Sequence, residues 1–103
     1  MPLTVRVSEK TNEVVILITG RFDFNLHRDF RYAYEDACKR LANPAFIIDL
    51  GGTEYMDSSA LGMMLLLREH IGGDKGVVSI INARPEVKKI LEIASFGRLF
   101  KLA

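Results

Sequence analysis

Apolar and polar residues alternate from the start of the chain. Leu3, Val5 and Val7 are separated by Thr4, Arg6 and Ser8, a period of two that predicts a half-buried edge strand. A turn at Lys10-Thr11-Asn12 leads to Val14-Val15-Ile16-Leu17-Ile18-Thr19, a more buried strand close enough in sequence to form a hairpin with the first. Gly20 is expected to end this strand, with Arg21 to Asn25 as a loop. The period then changes. With Asn25 as N-cap, Leu26, Phe30, Ala33/Tyr34, Ala37 and Leu41 recur at helical spacing. Arg31–Glu35, Glu35–Lys39 and Asp36–Arg40 stand four apart on the outward side, each pair worth about 0.3 kcal/mol. They mark a solvated face.

Asn43-Pro44 stops the helix. Ala45-Phe46-Ile47-Ile48-Asp49-Leu50 is apolar on both faces and is therefore expected as a central strand. Gly51-Gly52-Thr53 should loosen the chain before a second helix that ends near Gly72-Gly73. Val77-Val78-Ser79-Ile80-Ile81 reads as a fourth buried strand. Pro85 suits the first position of a third helix, with Val87, Ile90, Leu91 and Ala94 facing inward. Gly97 is expected to stop it, and Leu99, Phe100 and Leu102 form a short closing segment, an edge strand. The order β-β-α-β-α-β-α implies right-handed crossovers and a mainly parallel sheet, an α/β domain spanning residues 1–103.

The stretch Tyr55-Met56-Asp57-Ser58-Ser59-Ala60-Leu61-Gly62-Met63-Met64-Leu65-Leu66-Leu67 organises the rest. Asp57 is a good N-cap, because its carboxylate can accept from the free N–H groups that open a helix. Ser58 and Ser59 then occupy the first two helical positions, and Met56 and Leu61 those of a hydrophobic staple. Ser58 would sit at the positive end of the helix dipole, where negative charge is tolerated. From Ala60 to Leu67 the helix is apolar on every side except at Gly62, which suits a helix either deeply buried or offering surface to a partner. Sites in parallel sheets form outside the carboxyl ends of the strands. The loops at 21–25, 51–57 and 82–84 should therefore converge, putting Asp23, Asp57 and Ser58 on one rim.

Composition narrows the function. The 103 residues are 49% hydrophobic and 26% charged, with net charge +1. That balance carries no basic stripe of the kind nucleic-acid binding needs. The lone Cys38, near the apolar side of the first helix, reads as a small buried hydrophobe and gives no signal of an oxidising compartment. The N-terminus lacks a signal-peptide pattern, and no apolar run approaches the roughly 18 residues a membrane span requires. The chain is expected to be cytoplasmic, with no membrane association.

Enzymatic readings fail on chemistry. A serine nucleophile needs a base. His70 lies roughly 18 Å beyond Ser58 along the helix at 1.5 Å per residue, and His27 comes without a Gly-x-Ser-x-Gly elbow. Two histidines without cysteine or HExxH spacing read as ordinary surface residues rather than metal ligands. Phe46-Ile47-Ile48-Asp49 looks superficially like the strand-and-aspartate that holds magnesium in NTPases, but no phosphate-cradling glycine loop accompanies it. Asp49 is expected to bond neighbouring backbone instead. No enzyme, cofactor or metal is expected. Asp57-Ser58-Ser59 is then either a polar helix start or an acceptor of phosphate at Ser58. The second hydroxyl, the missing capping-box acid at Ala60, and the apolar excess at Leu61, Met64, Leu65 and Leu66 favour the acceptor.

Asp57-Ser58-Ser59-Ala60-Leu61-Gly62, after a strand and opening a helix, resembles the signature of the STAS domain, whose stand-alone bacterial members are anti-sigma-factor antagonists. Gly20-Arg21-Phe22-Asp23 and Ile48-Asp49-Leu50 extend the resemblance over nearly the whole chain. Ala60 departs from it, since many members have glycine there. The resemblance implies the STAS fold, a mixed, mostly parallel sheet with an N-terminal hairpin and three or four helices. It implies Ser58 as phospho-acceptor, and a partner-binding surface at Asp23, Asp57, Ser59, Leu61, Gly62 and Leu65. The implied partners are an anti-sigma factor or a serine kinase of the anti-sigma type, with a PP2C-like phosphatase removing the phosphate. A STAS-type scaffold or sensor subunit without a phosphate cycle is the alternative.

Overall fold

The computed structural model describes residues 2–103. Strands β1 (Leu3–Ser8) and β2 (Glu13–Phe22) form the expected antiparallel hairpin. They are followed by α1 (His27–Arg40), β3 (Ala45–Met56), α2 (Ser58–His70), β4 (Val78–Ile81), α3 (Pro85–Ile93) and β5 (Lys101–Leu102). Short 3-10 turns lie at Phe24–Leu26, Gly73–Lys75 and Phe96–Arg98. The sheet order is β1-β2-β3-β4-β5, with every pair after the hairpin parallel. Each parallel crossover steps one strand in the same direction. Right-handed connections then put α1, α2 and α3 on one face.

The core lies between that face and the helices. Val14, Ile16 and Ile18 of β2, Phe46, Ile48 and Leu50 of β3, and Val78 and Ile80 of β4 meet Phe30, Tyr34 and Ala37 of α1. Ala60, Met63, Met64 and Leu67 of α2 and Val87 and Leu91 of α3 close it. On α1, Arg31 pairs with Glu35 at 3.0 Å and Arg40 with Asp36 at 3.2 Å along the solvated side. Burial pushes the thiol of half-buried Cys38 up, as its place near the apolar side requires. No helix among the described residues is long and apolar enough to cross a membrane.

Four boundaries differ from the sequence reading. Gly20 does not end β2. It adopts φ 78° at one of two register shifts, and the strand continues to Phe22. Gly51 to Met56 is likewise strand, not loop. A Cβ on Gly52 would lie 2.7 Å from Thr19 Cγ2, so glycine here lets β2 and β3 approach. The extension buries Phe22 and Met56 and is tied by Thr53 Oγ1 donating to the Ile18 carbonyl at 2.9 Å. Asn25 does not cap α1. Asp23 caps the 3-10 turn instead, accepting from the Asn25 N–H at 3.0 Å, and α1 begins after Leu26. Finally, α3 ends at Ile93 and the chain turns at Ser95 (φ 60°), ahead of Gly97, which leaves Ala94 exposed rather than inward.

Candidate functional site

Asp57 is held in extended backbone at the end of β3 and caps α2. Its Oδ1 accepts from the Ser59 N–H at 3.0 Å, from the Ala60 N–H at 3.3 Å and from the Ser59 hydroxyl at 2.5 Å. The Ser59 hydroxyl above all, then the two N–H groups and the charge of Arg21, hold the Asp57 carboxyl below its ordinary range. Ser59 is therefore committed to the cap. Ser58, at the first helical position, is exposed, and its hydroxyl forms no hydrogen bond within the described residues. The two adjacent hydroxyls differ in availability.

Met56 is buried and Leu61 packs against the core, as a staple requires. Ala60 and Met64 are fully buried. A small residue stands at position 60 because the core leaves no room for a capping-box acid, and Met64 belongs to the interior rather than to a docking surface. The outward apolar surface of α2 is narrower than its sequence suggests: Leu65 at 37% and Leu66 at 55% exposure. Gly62 is half-buried beside them, with open space where a Cβ would stand.

Asp23 and Asp57 share a rim through Arg21. Arg21 Nε donates to Asp23 Oδ2 at 3.3 Å, its guanidinium lies 4.0 Å from the centroid of the Tyr55 ring, and its charge acts on Asp57. The third loop joins elsewhere. Asn82 Nδ2 donates to Asp49 Oδ1 at 3.3 Å and Arg84 Nε to the Gly51 carbonyl at 3.1 Å, so 82–84 is tied to the middle of β3, well before its end at Met56. Asp49 also accepts from the Gly51 N–H at 2.9 Å, the backbone role expected of it.

The histidines lie along a groove of about 410 Å³ between α1 and α2, lined by Phe30, Tyr34, Met63 and Leu66 among others. His27 stacks on Phe24 at 5.1 Å and His70 lies 5.1 Å from the Tyr34 ring. Three rim residues were missed in the sequence: Arg21, Tyr55 and Phe24, the last 67% exposed. Arg21 and Tyr55 become neighbours only because both strands run on past their glycines. Phe24 had a legible signal, a large apolar side chain between Asp23 and Asn25.

A family model described as "Mlab, STAS domain" matches residues 5–102. The STAS-domain containing protein PA14_20770 of Pseudomonas aeruginosa (strain UCBPP-PA14) is 47% identical over 103 residues, covering all of both chains. The anti-sigma F factor antagonist of Paenibacillus polymyxa is 22% identical over 102 residues, 99% of this chain and 85% of that one. The solved structure of the Bacillus cell fate determinant SpoIIAA in its phosphorylated form superposes with a TM-score of 0.73 at 20% identity, covering 98% of this chain and 90% of that one.

Proposed function

The chain belongs to the STAS domain family, and on that premise we propose that it is an anti-sigma factor antagonist switched by phosphorylation of Ser58. Unphosphorylated, it binds an anti-sigma factor or a serine kinase of the anti-sigma type through the rim at Asp23, Asp57 and Ser59 and the outer side of α2 at Leu61, Gly62 and Leu65. Binding releases what that regulator holds, and so regulates sigma-factor-dependent transcription in the cytoplasm. A PP2C-like phosphatase returns the protein to its binding state. The chain catalyses nothing itself. The observation that carries this reading is a Ser58 hydroxyl exposed and unbonded within the described residues, beside a Ser59 hydroxyl locked to Asp57. The relative named as an anti-sigma F factor antagonist and the similar fold solved in a phosphorylated form support it.

Charge explains why such a switch acts on binding and spares the fold. A phosphoserine carries about −1.5 to −2 charges. At the start of α2 the helix dipole favours that charge by roughly 0.3–1 kcal/mol, partly offset by Asp57. Desolvating an unpaired dianion at an interface costs several kcal/mol, and each 1.4 kcal/mol is about tenfold in affinity. The test is a titration of a candidate anti-sigma partner with wild type, Ser58→Ala and Ser58→Asp, alongside intact-mass measurement of protein from its native source. Ser58→Ala should bind constitutively. Equal affinity of wild type and Ser58→Asp would overturn the reading.

The second reading is a STAS-type scaffold or sensor subunit without a phosphate cycle. The description of the matching family model, "Mlab, STAS domain", rather than an antagonist, favours it. A native population wholly without phosphate would select it.

A further inference from the structure

With α1, α2 and α3 on one face, no layer lies over the opposite face of the sheet among the described residues. A sheet covered on one side alternates apolar with polar residues along its strands. Here the open side breaks that rule. The register sets Val15 beside Ile47, and Leu17 and Ile81 on either side of Asp49. All four aliphatic residues are only half-buried, and none belongs to the core or packs against it.

Charges frame this patch in a fixed pattern. One row across the strands reads Arg6, Val15, Ile47, Ser79, Lys101, with a cation at each lateral edge. Two anions stand on the same face along the strand direction: Asp49, between Leu17 and Ile81 one pleat above that row, and Glu13 one pleat below it. Asp49 is held in place by the Gly51 N–H and Asn82. Leu102, next to Lys101, turns to the core, which places Lys101 on the open side.

We propose that this face docks onto the same face of a second copy of the chain, with the strands of the two sheets crossing near a right angle. A two-fold axis diagonal to the strands exchanges the across-strand and along-strand directions. It therefore lays the basic edges of each copy, Arg6 and Lys101, over the acidic ends of the other, Asp49 and Glu13, with the aliphatic residues stacked between. Aligned packing would instead set Arg6 against Lys101 and Asp49 against its own equivalent, which like charges oppose. Five strands about 4.8 Å apart and three rows of side chains give a contact near the low end of specific interfaces, on the order of 1,000 Å² in total. The dimer is accordingly a concentration-dependent one. Its interface lies on the face opposite α2, so it stands or falls independently of Ser58.

Sedimentation velocity of the full chain over a wide concentration range tests this. The dimer fraction should rise with concentration, and Ile47→Asn should move the midpoint by about tenfold or more, as loss of a central contact does. A variant with both acids reversed (Glu13→Lys, Asp49→Lys) and one with both bases reversed (Arg6→Glu, Lys101→Glu) should each be monomeric alone and should dimerise when mixed. Adding Ile47→Asn to both should abolish the mixed dimer. Should a reversed variant not fold, amide shifts of wild type on dilution decide: they should move at Val15, Leu17, Ile47 and Ile81 and stay fixed along α2. The proposal is overturned by a wild type monomeric throughout, by a dimer indifferent to Ile47→Asn, by mixed variants that stay apart, or by dilution shifts centred on another face.

Discussion

The Ser59 hydroxyl donates to Asp57 Oδ1 at 2.5 Å, while the hydroxyl one residue earlier, on Ser58, is exposed and unbonded within the described residues. A kinase must take the proton from the oxygen it phosphorylates, and of these two serines only Ser58 offers an oxygen free of a competing bond within the described residues. In a reaction with the cognate kinase, intact mass should show one phosphate on wild type and on Ser59→Ala, and none on Ser58→Ala. Ser59→Ala should also lose about 0.5–1.5 kcal/mol of stability with its hydrogen bond, whereas Ser58→Ala should leave the denaturation midpoint nearly unchanged.

Ser58→Asp separates recognition from folding. Its charge meets the start of α2, which favours it, and Asp57, which opposes it, so stability should move by under about 1 kcal/mol and the circular dichroism spectrum should stay native. Partner affinity should fall about 100- to 1,000-fold, the equivalent of roughly 3–4 kcal/mol at the interface. Isothermal titration against the partner measures the fall.

Asp57 links the cap to pH. Its folded carboxyl sits below its ordinary value, chiefly through the Ser59 hydroxyl. A depressed carboxyl contributes stability that is fully present above the unfolded value of about 3.9 and disappears as pH falls through the lower folded value. Asp57→Ala should therefore cost about 1 kcal/mol at neutral pH, and the gap from wild type should shrink below about pH 4. Asp57→Asn keeps an oxygen to cap with, so it should lose mainly the pH dependence. Urea midpoints across an acid series would check both.

Much of this was legible in the sequence, for a physical reason. The strands of the hairpin, the Asp57 cap, Pro85 at the head of α3 and the buried stripes each follow from a local rule that the tertiary structure obeys. The failures lie where tertiary contact overrides local signal. Gly20, Gly51 and Gly52 look like loop residues, yet they allow β2 and β3 to run on side by side to Phe22 and Met56. That extension brings Arg21 onto Tyr55 and so builds the rim. The run Ile47-Ile48 correctly marked a central strand, but hydrophobicity on both faces does not say that both are covered. Ile48 is buried under the helices, while Ile47 faces the open side. Asp57 and Ser59 could be read as a cap, but the competition between the two serines appears only in the geometry of a shared oxygen.

Two glycines give opposite predictions and divide stability from recognition. At Gly76 a Cβ would stand 2.5 Å from Ile71 Cγ1 and 2.9 Å from the Ile71 carbonyl oxygen. Ile71 packs against the core and the carbonyl is backbone, so neither yields freely, and Gly76→Ala should cost about 1–3 kcal/mol as overpacking does. At Gly62, inside α2, a Cβ meets nothing within 4 Å. Gly62→Ala should raise stability by about 0.5–1 kcal/mol, because glycine is the costlier residue in a helix. The same added methyl projects into open space beside Leu61 and Leu65, where the partner is proposed to dock. A chain that melts later yet binds its partner more weakly would place Gly62 under the partner. One that melts later and binds unchanged would move the docking surface off this side of α2.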